Sequence, residues 1–305
     1  MSEELYKRLR PQRLKQIVGN DNTVAALRNM LYNKTLPHTL LFHGPSGCGK
    51  TTLARILARR LRCHEMDFKE VNSSNFRGID TIRSIADAMH LSPVGKCRVW
   101  LIDECHKLTN DAQNAALKML EDTPSHVYFL LCTTEPEKLI KPIRTRCCEM
   151  PVAGLSPADL EKLLARTVEE IGLDISRDLG GELVEACQGS PRTLLVMLDK
   201  VANLAPDERE QAVAEQLAIE HEGIDLCRAL MKKASWSQVA SILKNIKGDP
   251  EQIRWNVLGY ARAVLLKKAD AHAYSIILAF EQPFYNSKAA GLAAACYEAL
   301  YGEDV

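Results

Sequence analysis

The sequence has no excess of charge of either sign: Lys and Arg number 39, Asp and Glu number 39, and the formal net charge is zero. Bulk charge therefore argues neither for nor against a nucleic-acid partner, and only a local basic patch can signal one. No apolar run approaches the length of a bilayer span, so no membrane association is expected. The opening stretch MSEELYKRLRPQRL is charged and lacks a signal-peptide core, which predicts a soluble, cytoplasmic, non-secreted protein. The ten cysteines form no C-x-x-C pair, and Cys63-His64 has no spaced partner pair, so the spacing offers no zinc site. Cys132, Cys187 and Cys296 fall within strand or helix patterns and are expected as small, reduced core hydrophobes. Low-complexity segments and internal repeats are also missing. What is present is a globular composition, 46% hydrophobic and 26% charged over 305 residues, enough for two or three domains.

The most informative stretch is His43-Gly44-Pro45-Ser46-Gly47-Cys48-Gly49-Lys50-Thr51, followed by Thr52. It fills G-x-x-x-x-G-K-[ST], with the apolar run Leu40-Leu41-Phe42 before it and a helical pattern (Leu53, Ala54, Ile56, Leu57, Ala58) after it. Strand, glycine loop and helix together form the context of a phosphate-binding loop. Glycines let backbone amides turn inward onto phosphate oxygens, and the helix N-terminus adds favourable partial charge. Lys50 is expected to reach the β- and γ-phosphates, and the Thr51 hydroxyl to ligate Mg²⁺. Such a loop needs a carboxylate for the metal and a group to orient water. Val99-Trp100-Leu101-Ile102 reads as a buried strand ending at Asp103-Glu104, at the edge where ligands of parallel sheets bind. Asp103 is then the magnesium carboxylate, acting through water, and Glu104 the group that polarises the attacking water.

Strand-length apolar runs at Thr39–Phe42, Phe68–Asn72, Cys97–Ile102, Val127–Cys132 and Cys147–Val152 are separated by helical patterns at Thr23–Tyr32, Thr51–Leu61, Asp80–Met89 and Asn110–Leu120. This alternation predicts a mostly parallel sheet covered on both faces, over residues 1–152. Ser156-Pro157 then reads as an N-cap with proline at the first helical position. Only helical periodicity follows, punctuated at Gly172, Gly180-Gly181, Gly189-Ser190-Pro191, Pro206, Gly223 and Gly248-Asp249-Pro250. A small helical domain over 153–222 and a larger bundle over 223–305 are expected.

Three further features admit two readings each. Thr133-Thr134 either end a strand or place a hydroxyl near the γ-phosphate. Arg144 and Arg146, near a strand start, are either surface charge or a group that enters a neighbouring subunit's site in an oligomeric ATPase. Arg192 opens a helix against the helix dipole, a mild conflict that points to a task beyond helix stability.

These residues together resemble the sliding-clamp loader ATPases of the AAA+ class, similar to bacterial tau/gamma subunits and replication factor C small subunits, over about residues 5–200. Tyr6-Lys7-Arg8-Leu9-Arg10-Pro11 and Ile17-Val18-Gly19-Asn20 resemble the opening motif that borders adenine, which implicates Arg10, Pro11, Val18 and Gly19. Leu117-Lys118-Met119-Leu120-Glu121-Asp122 and the segment from Phe129 to Pro136 are close to the bacterial form. Thr145-Arg146-Cys147 stands where the family has Ser-Arg-Cys, a mild departure that keeps the arginine. The resemblance implies that Thr134 senses the γ-phosphate, that Arg146 is a finger acting in trans, and that Arg192 is the arginine of the lid acting in cis. The four-cysteine zinc module of bacterial tau/gamma subunits is missing here. The segment Asn75-Phe76-Arg77-Gly78-Ile79-Asp80-Thr81-Ile82-Arg83 resembles the family's Arg-Gly-Ile-Asp stretch; Arg77, Gly78, Ile79 and Arg83 would contact the DNA backbone at a helix start, with no element for reading bases.

The fold expected is thus an α/β P-loop AAA+ domain, a small helical lid and an all-α collar bundle. The function expected is ATP-driven, Mg²⁺-dependent loading of a ring-shaped sliding clamp onto primer–template DNA. The other clamp-loader subunits would complete a pentameric ring or spiral. The rivals are another AAA+ motor, such as a branch-migration helicase, and a scaffold that binds ATP without turnover.

Overall fold

The computed structural model describes residues 4–205, 208–209, 225–246, 249–284 and 287–302. The chain divides into two compact units, Met1–Leu204 and Ala205–Val305.

The first unit carries β1 (Thr39–His43), β2 (Phe68–Asn72), β3 (Arg98–Asp103), β4 (Val127–Thr133) and β5 (Cys148–Pro151). They form one sheet in the order β2-β3-β4-β1-β5, with every pairing parallel. Around it run α1 (Leu5–Arg8), α2 (Asp21–Asn33), α3 (Lys50–Arg60), α4 (Ile79–Met89), α5 (Asn110–Glu121), α6 (Lys141–Arg146), α7 (Pro157–Ile171), α8 (Arg177–Ala186) and α9 (Pro191–Ala202).

Side chains alternate across a strand, so an inner strand covered on both faces must be apolar throughout. Leu40, Phe42, Leu101, Leu130 and Cys132 join Leu27 of α2 and Leu53, Ile56 and Leu57 of α3 in one cluster. Leu41, Trp100, Ile102, Phe129 and Leu131 join Ile82, Ile85 and Met119 of α4 and α5 on the other face. Phe42 and Phe129 are fully buried, and truncating either to alanine would cost about 3–5 kcal/mol. The entry to β3 is fixed by the buried Asp67, which accepts from the Gly95 amide at 2.7 Å and pairs with Arg98 at 3.3 Å.

Because all strands run in one direction, their carboxyl ends share one edge. Register sets His43 beside Thr133 and Asn72 beside Asp103. Each expected apolar run is a strand, with ends within two residues of those read from the sequence. Ser156 caps α7 by accepting from the Asp159 amide, Pro157 sits in the first turn, and Gly172 ends the helix in the left-handed region at φ 66°. Gly180-Gly181 is a correction: it lies inside α8 and breaks nothing. A Cβ at Gly180 would meet Leu164 at 3.4 Å, an ordinary van der Waals contact, and one at Gly181 would meet open space. Arg144 and Arg146 belong to the short α6, just ahead of β5.

The second unit is helical among its described residues: a segment over 225–231, then α10 (Trp236–Asn245), α11 (Pro250–Lys268), α12 (Ala271–Ala279) and α13 (Lys288–Tyr301). Its core includes Leu226, Leu230, Val239, Ile253, Ile276 and Phe280. The buried Glu251 pairs with Arg254 at 2.7 Å and accepts from the Phe284 amide at 2.7 Å, while Arg254 donates to Phe280 O at 3.0 Å. The expected boundary at 222–223 and the breaks at Pro206, Gly223 and Gly248 lie outside the described residues. Cys132, Cys187 and Cys296 are all buried, as expected of small core hydrophobes.

Candidate nucleotide-binding site

The loop between β1 and α3 is shaped by glycines. Gly44 has φ 147°, and a Cβ there would lie 1.9 Å from the Val152 carbonyl oxygen. Gly49, at φ 107°, is the N-cap of α3, with open space around it. The first amides of α3, which have no partners within the helix, open toward the loop. Cys48 pins the loop from within by donating to Pro45 O at 2.9 Å and Val152 O at 3.3 Å; burial pushes its thiol up, which keeps it a neutral donor.

Lys50 is 6% exposed. Its Nζ donates to Gly44 O at 2.8 Å and Pro45 O at 2.7 Å. Among the described residues no carboxylate pairs with it, so a buried positive charge is held by carbonyls alone. Thr51 Oγ1 donates to Asp103 Oδ2 at 2.9 Å, which brings a hydroxyl and a carboxylate together at the mouth of the loop. The Glu104 amide donates to Asp103 Oδ1 at 3.0 Å. Glu104 itself is in the left-handed region at φ 52°, where it turns the chain sharply out of β3.

These groups face a cavity of about 350 Å³. One wall is polar: residues 46–52 with Asp103 and Glu104. The other comes from distant segments, among them Leu9, Ile17, Leu155, Leu163 and Leu195. Two hydrogen bonds between Asn20 and Ala153, at 2.8 and 3.0 Å, hold the N-terminal segment against the exit of β5. Arg10 lies in this cavity with Arg192, which sits over the Tyr6 ring at 5.8 Å. Burial pushes the Arg10 guanidinium down, and Arg55 and Arg192 push it further: the pocket collects positive charge.

The expected cavity residues Arg10, Pro11, Val18, Ser46, Gly47, Cys48, Gly49, Lys50, Thr51, Thr52, Asp103, Glu104 and Arg192 are thus brought together. Gly44 and Pro45 stand behind the wall through their carbonyls, and Gly19 packs against Leu155. Thr134 lies one residue past β4 and does not line the cavity. Arg146 is outside it as well: its Nε donates to Glu121 at 2.8 Å and its Nη1 to Pro142 O at 2.9 Å. Gly78 is the N-cap of α4 and Ile79 its first residue; Arg77 and Arg83 are exposed, with Arg83 3.4 Å from Asp80.

Sequence reasoning missed Asn72, Arg166, Thr167 and Glu170 in the cavity, and His106 behind it; Tyr6, in the motif expected at the base, lines it as well. Asn72 was legible in principle only as the last residue of the strand expected over Phe68–Asn72; that this strand pairs with β3 is a finding of the structure. The α7 residues carry no local signal. His106 is buried in the turn after β3, 3.0 Å from Thr133 Oγ1.

A parallel sheet of order β2-β3-β4-β1-β5 with a glycine loop after β1 and an acidic pair after β3 defines an AAA+ P-loop fold. Consistent with this, the Thermotoga maritima RuvB Holliday junction branch migration motor superposes with a TM-score of 0.58 at 20% identity, over 73% of this chain and 79% of that one; the likeness is one of fold. A family model described as DNA polymerase III, delta subunit, matches residues 19–77 and 67–156. The replication factor C small subunit of Methanococcus vannielii is 32% identical over 218 residues, 70% of this chain and 69% of that protein. The DNA polymerase III subunit gamma/tau of Mycobacterium tuberculosis is 34% identical over 227 residues, 67% of this chain. The chain belongs to the clamp-loader family that includes these subunits. It spans 39% of the length of the mycobacterial relative.

Proposed function

We propose that this chain binds ATP with Mg²⁺ and hydrolyses it as a clamp-loader subunit, driving a ring-shaped sliding clamp onto primer–template DNA in replication. The observation that carries the reading is the buried Lys50 ammonium, answered among the described residues by two loop carbonyls and no carboxylate, at the head of a cavity with Arg10 and Arg192. An unpaired buried charge is costly, and a polyphosphate supplies the missing anion. The Thr51 hydroxyl and Asp103 carboxylate are hard oxygen donors, the chemistry Mg²⁺ prefers. They would hold the ion, which when bound supplies charge stabilisation at the transferred phosphoryl group.

The chain's own residues divide the remaining work. Backbone amides of residues 44–51 and Lys50 bind phosphate oxygens. Glu104, which lines the cavity next to Asp103, orients and polarises the attacking water by accepting a hydrogen bond from it. Arg192, at the start of α9, reaches the phosphates in cis, and Thr134 senses the γ-phosphate from the end of β4. Arg146 lies outside its own cavity on an exposed helix, which supports action in trans on a neighbouring subunit. Arg10, Pro11, Val18 and Gly19 border the base. Arg77, Gly78, Ile79 and Arg83 at the start of α4 offer a surface for the DNA backbone. Residues 1–152 would form the ATPase domain, 153–222 the lid and 223–305 a collar that assembles subunits, five to a ring or spiral.

The test is ATP turnover by the protein with its partner subunits, with DNA and clamp added separately and together. A loader responds to both, a helicase to DNA alone, and a scaffold to neither. Turnover that ignores the clamp, or that survives Glu104→Gln at the wild-type rate, sinks the proposal.

A further inference from the structure

His106 stands behind the cavity wall and does not line it. Its side chain is 3% exposed, yet both ring nitrogens face acidic groups: Nδ1 is 3.4 Å from Glu104 Oε2, and Nε2 is 3.2 Å from Glu135 Oε1. Nδ1 is also 3.0 Å from Thr133 Oγ1, which accepts from the Glu135 amide at 3.0 Å. Glu135 is tied in turn to Lys138 at 2.7 Å. One imidazole thus joins the end of β3 to the end of β4. Among the described residues, no other side chain pairs with the Glu104 carboxylate. Glu104 leaves the strand in a left-handed turn, so the usual helix or strand neighbours do not steer its side chain.

A carboxylate that must orient one water molecule needs a fixed direction, because misplacement by about an ångström is costly in turnover. We infer that His106 is a positioning residue: through Nδ1 it aims the Glu104 carboxylate, and through Thr133 and Glu135 it ties that aim to the end of β4, next to Thr134. The inference rests on the hydrolase reading above. Both carboxylate contacts are attractive only when each ring nitrogen carries a proton; the one at Nδ1, shared with Thr133 Oγ1, is the contact that matters, and the one at Nε2 is the anchor.

Asparagine and glutamine separate the two contacts. Asn places an amide near the position of Nδ1, whereas Gln reaches the position of Nε2. His106→Gln should lower kcat about tenfold or more, since misplacing a reacting group by about an ångström can cost up to about a hundredfold, with KM for ATP unchanged because His106 is not in the cavity. His106→Asn should keep most of the turnover. In a Glu104→Gln background, His106→Gln should add no further loss, since it acts through Glu104. Equal losses in the Asn and Gln variants, or an additive loss on Glu104→Gln, overturn the inference in favour of a role in packing. Should His106→Gln fail to fold, Glu135→Gln reads the same bridge from its solvent side: kcat falls at constant KM, and an unchanged kcat counts against the idea. Wild-type protein that hydrolyses no ATP under any condition overturns the hydrolase reading, and this inference with it; wild-type turnover with unaffected His106 variants overturns this inference alone.

Discussion

Lys50→Ala tests the phosphate site through stability and needs no knowledge of the partners. In the wild type the ammonium donates two hydrogen bonds to loop carbonyls, each contributing about 1.5–3 kcal/mol as a bond from a charged group. Against this stands a desolvation cost of several kcal/mol for an ion without a counter-charge. The two nearly offset, and the freed carbonyls of Gly44 and Pro45 can be rehydrated from the cavity, so the variant should melt within about 3 °C of the wild type without nucleotide. Ligand changes the comparison. At a hundred times Kd, ATP with Mg²⁺ stabilises the wild type by about 2.7 kcal/mol. For a unit the size of Met1–Leu204 that raises the melting temperature by about 5–11 °C. The variant, which loses the main point charge on the phosphates, should show almost no shift at the same concentration. Differential scanning calorimetry of both proteins with and without ATP and Mg²⁺ reads this directly. An ATP-dependent shift of equal size in both would refute the assignment of Lys50 to the phosphates.

Arg146→Ala should retain the ATP-dependent melting shift while turnover falls by about a thousandfold; mixing it with Lys50→Ala subunits should restore part of the activity, and no recovery despite labelled proof of subunit exchange would count against action in trans. Arg77→Ala with Arg83→Ala should weaken DNA binding at all sequences alike and flatten its dependence on salt, checked by fluorescence anisotropy across a salt series; an unchanged slope puts the DNA surface elsewhere. Burial pushes the Asp67 carboxyl up, but the Gly95 amide and the Arg98 guanidinium outweigh it and hold it below the usual carboxylate range. A depressed folded pKa contributes stability above the unfolded value of about 3.9 and loses it as pH falls through the folded one. Asp67→Asn should therefore lower the melting temperature at pH 7, and the gap to wild type should narrow below about pH 4; a gap independent of pH would contradict this.

The polar half of the site was legible because its chemistry is local. Residues 44–51 carry their whole meaning in one loop, and Asp103-Glu104 follow from strand length and the rule that parallel strands present ligands at their carboxyl ends. Of the apolar half, only the N-terminal segment around Pro11 and Val18 was legible, through its resemblance to the motif that borders adenine; the helical contributions were not. Leu163 and Thr167 lie on a helix whose periodicity shows only that one face is covered, and the approach of α7 to Ile17 is a long-range event. The Gly180-Gly181 reading failed for a similar reason: glycine weakens a helix locally, and the burial of Leu179, Leu183 and Val184 on the same helix overrides that. His106 was invisible because Thr133 and Glu135 become its neighbours only when β3 and β4 pair.

The cavity's two walls have different histories in the chain. The wall of oxygens and amides comes from a few short stretches whose spacing is dictated by chemistry. The greasy wall is assembled from α1, the segment after it, α7 and α9, and needs only to stay apolar and near. Substitutions on the greasy side can therefore lengthen or shorten the residence of whatever occupies the cavity while leaving the reacting groups untouched. Affinity and rate become separately adjustable quantities, and the dwell time of the occupied form can be tuned to a slower partner without rebuilding the machinery that ends it.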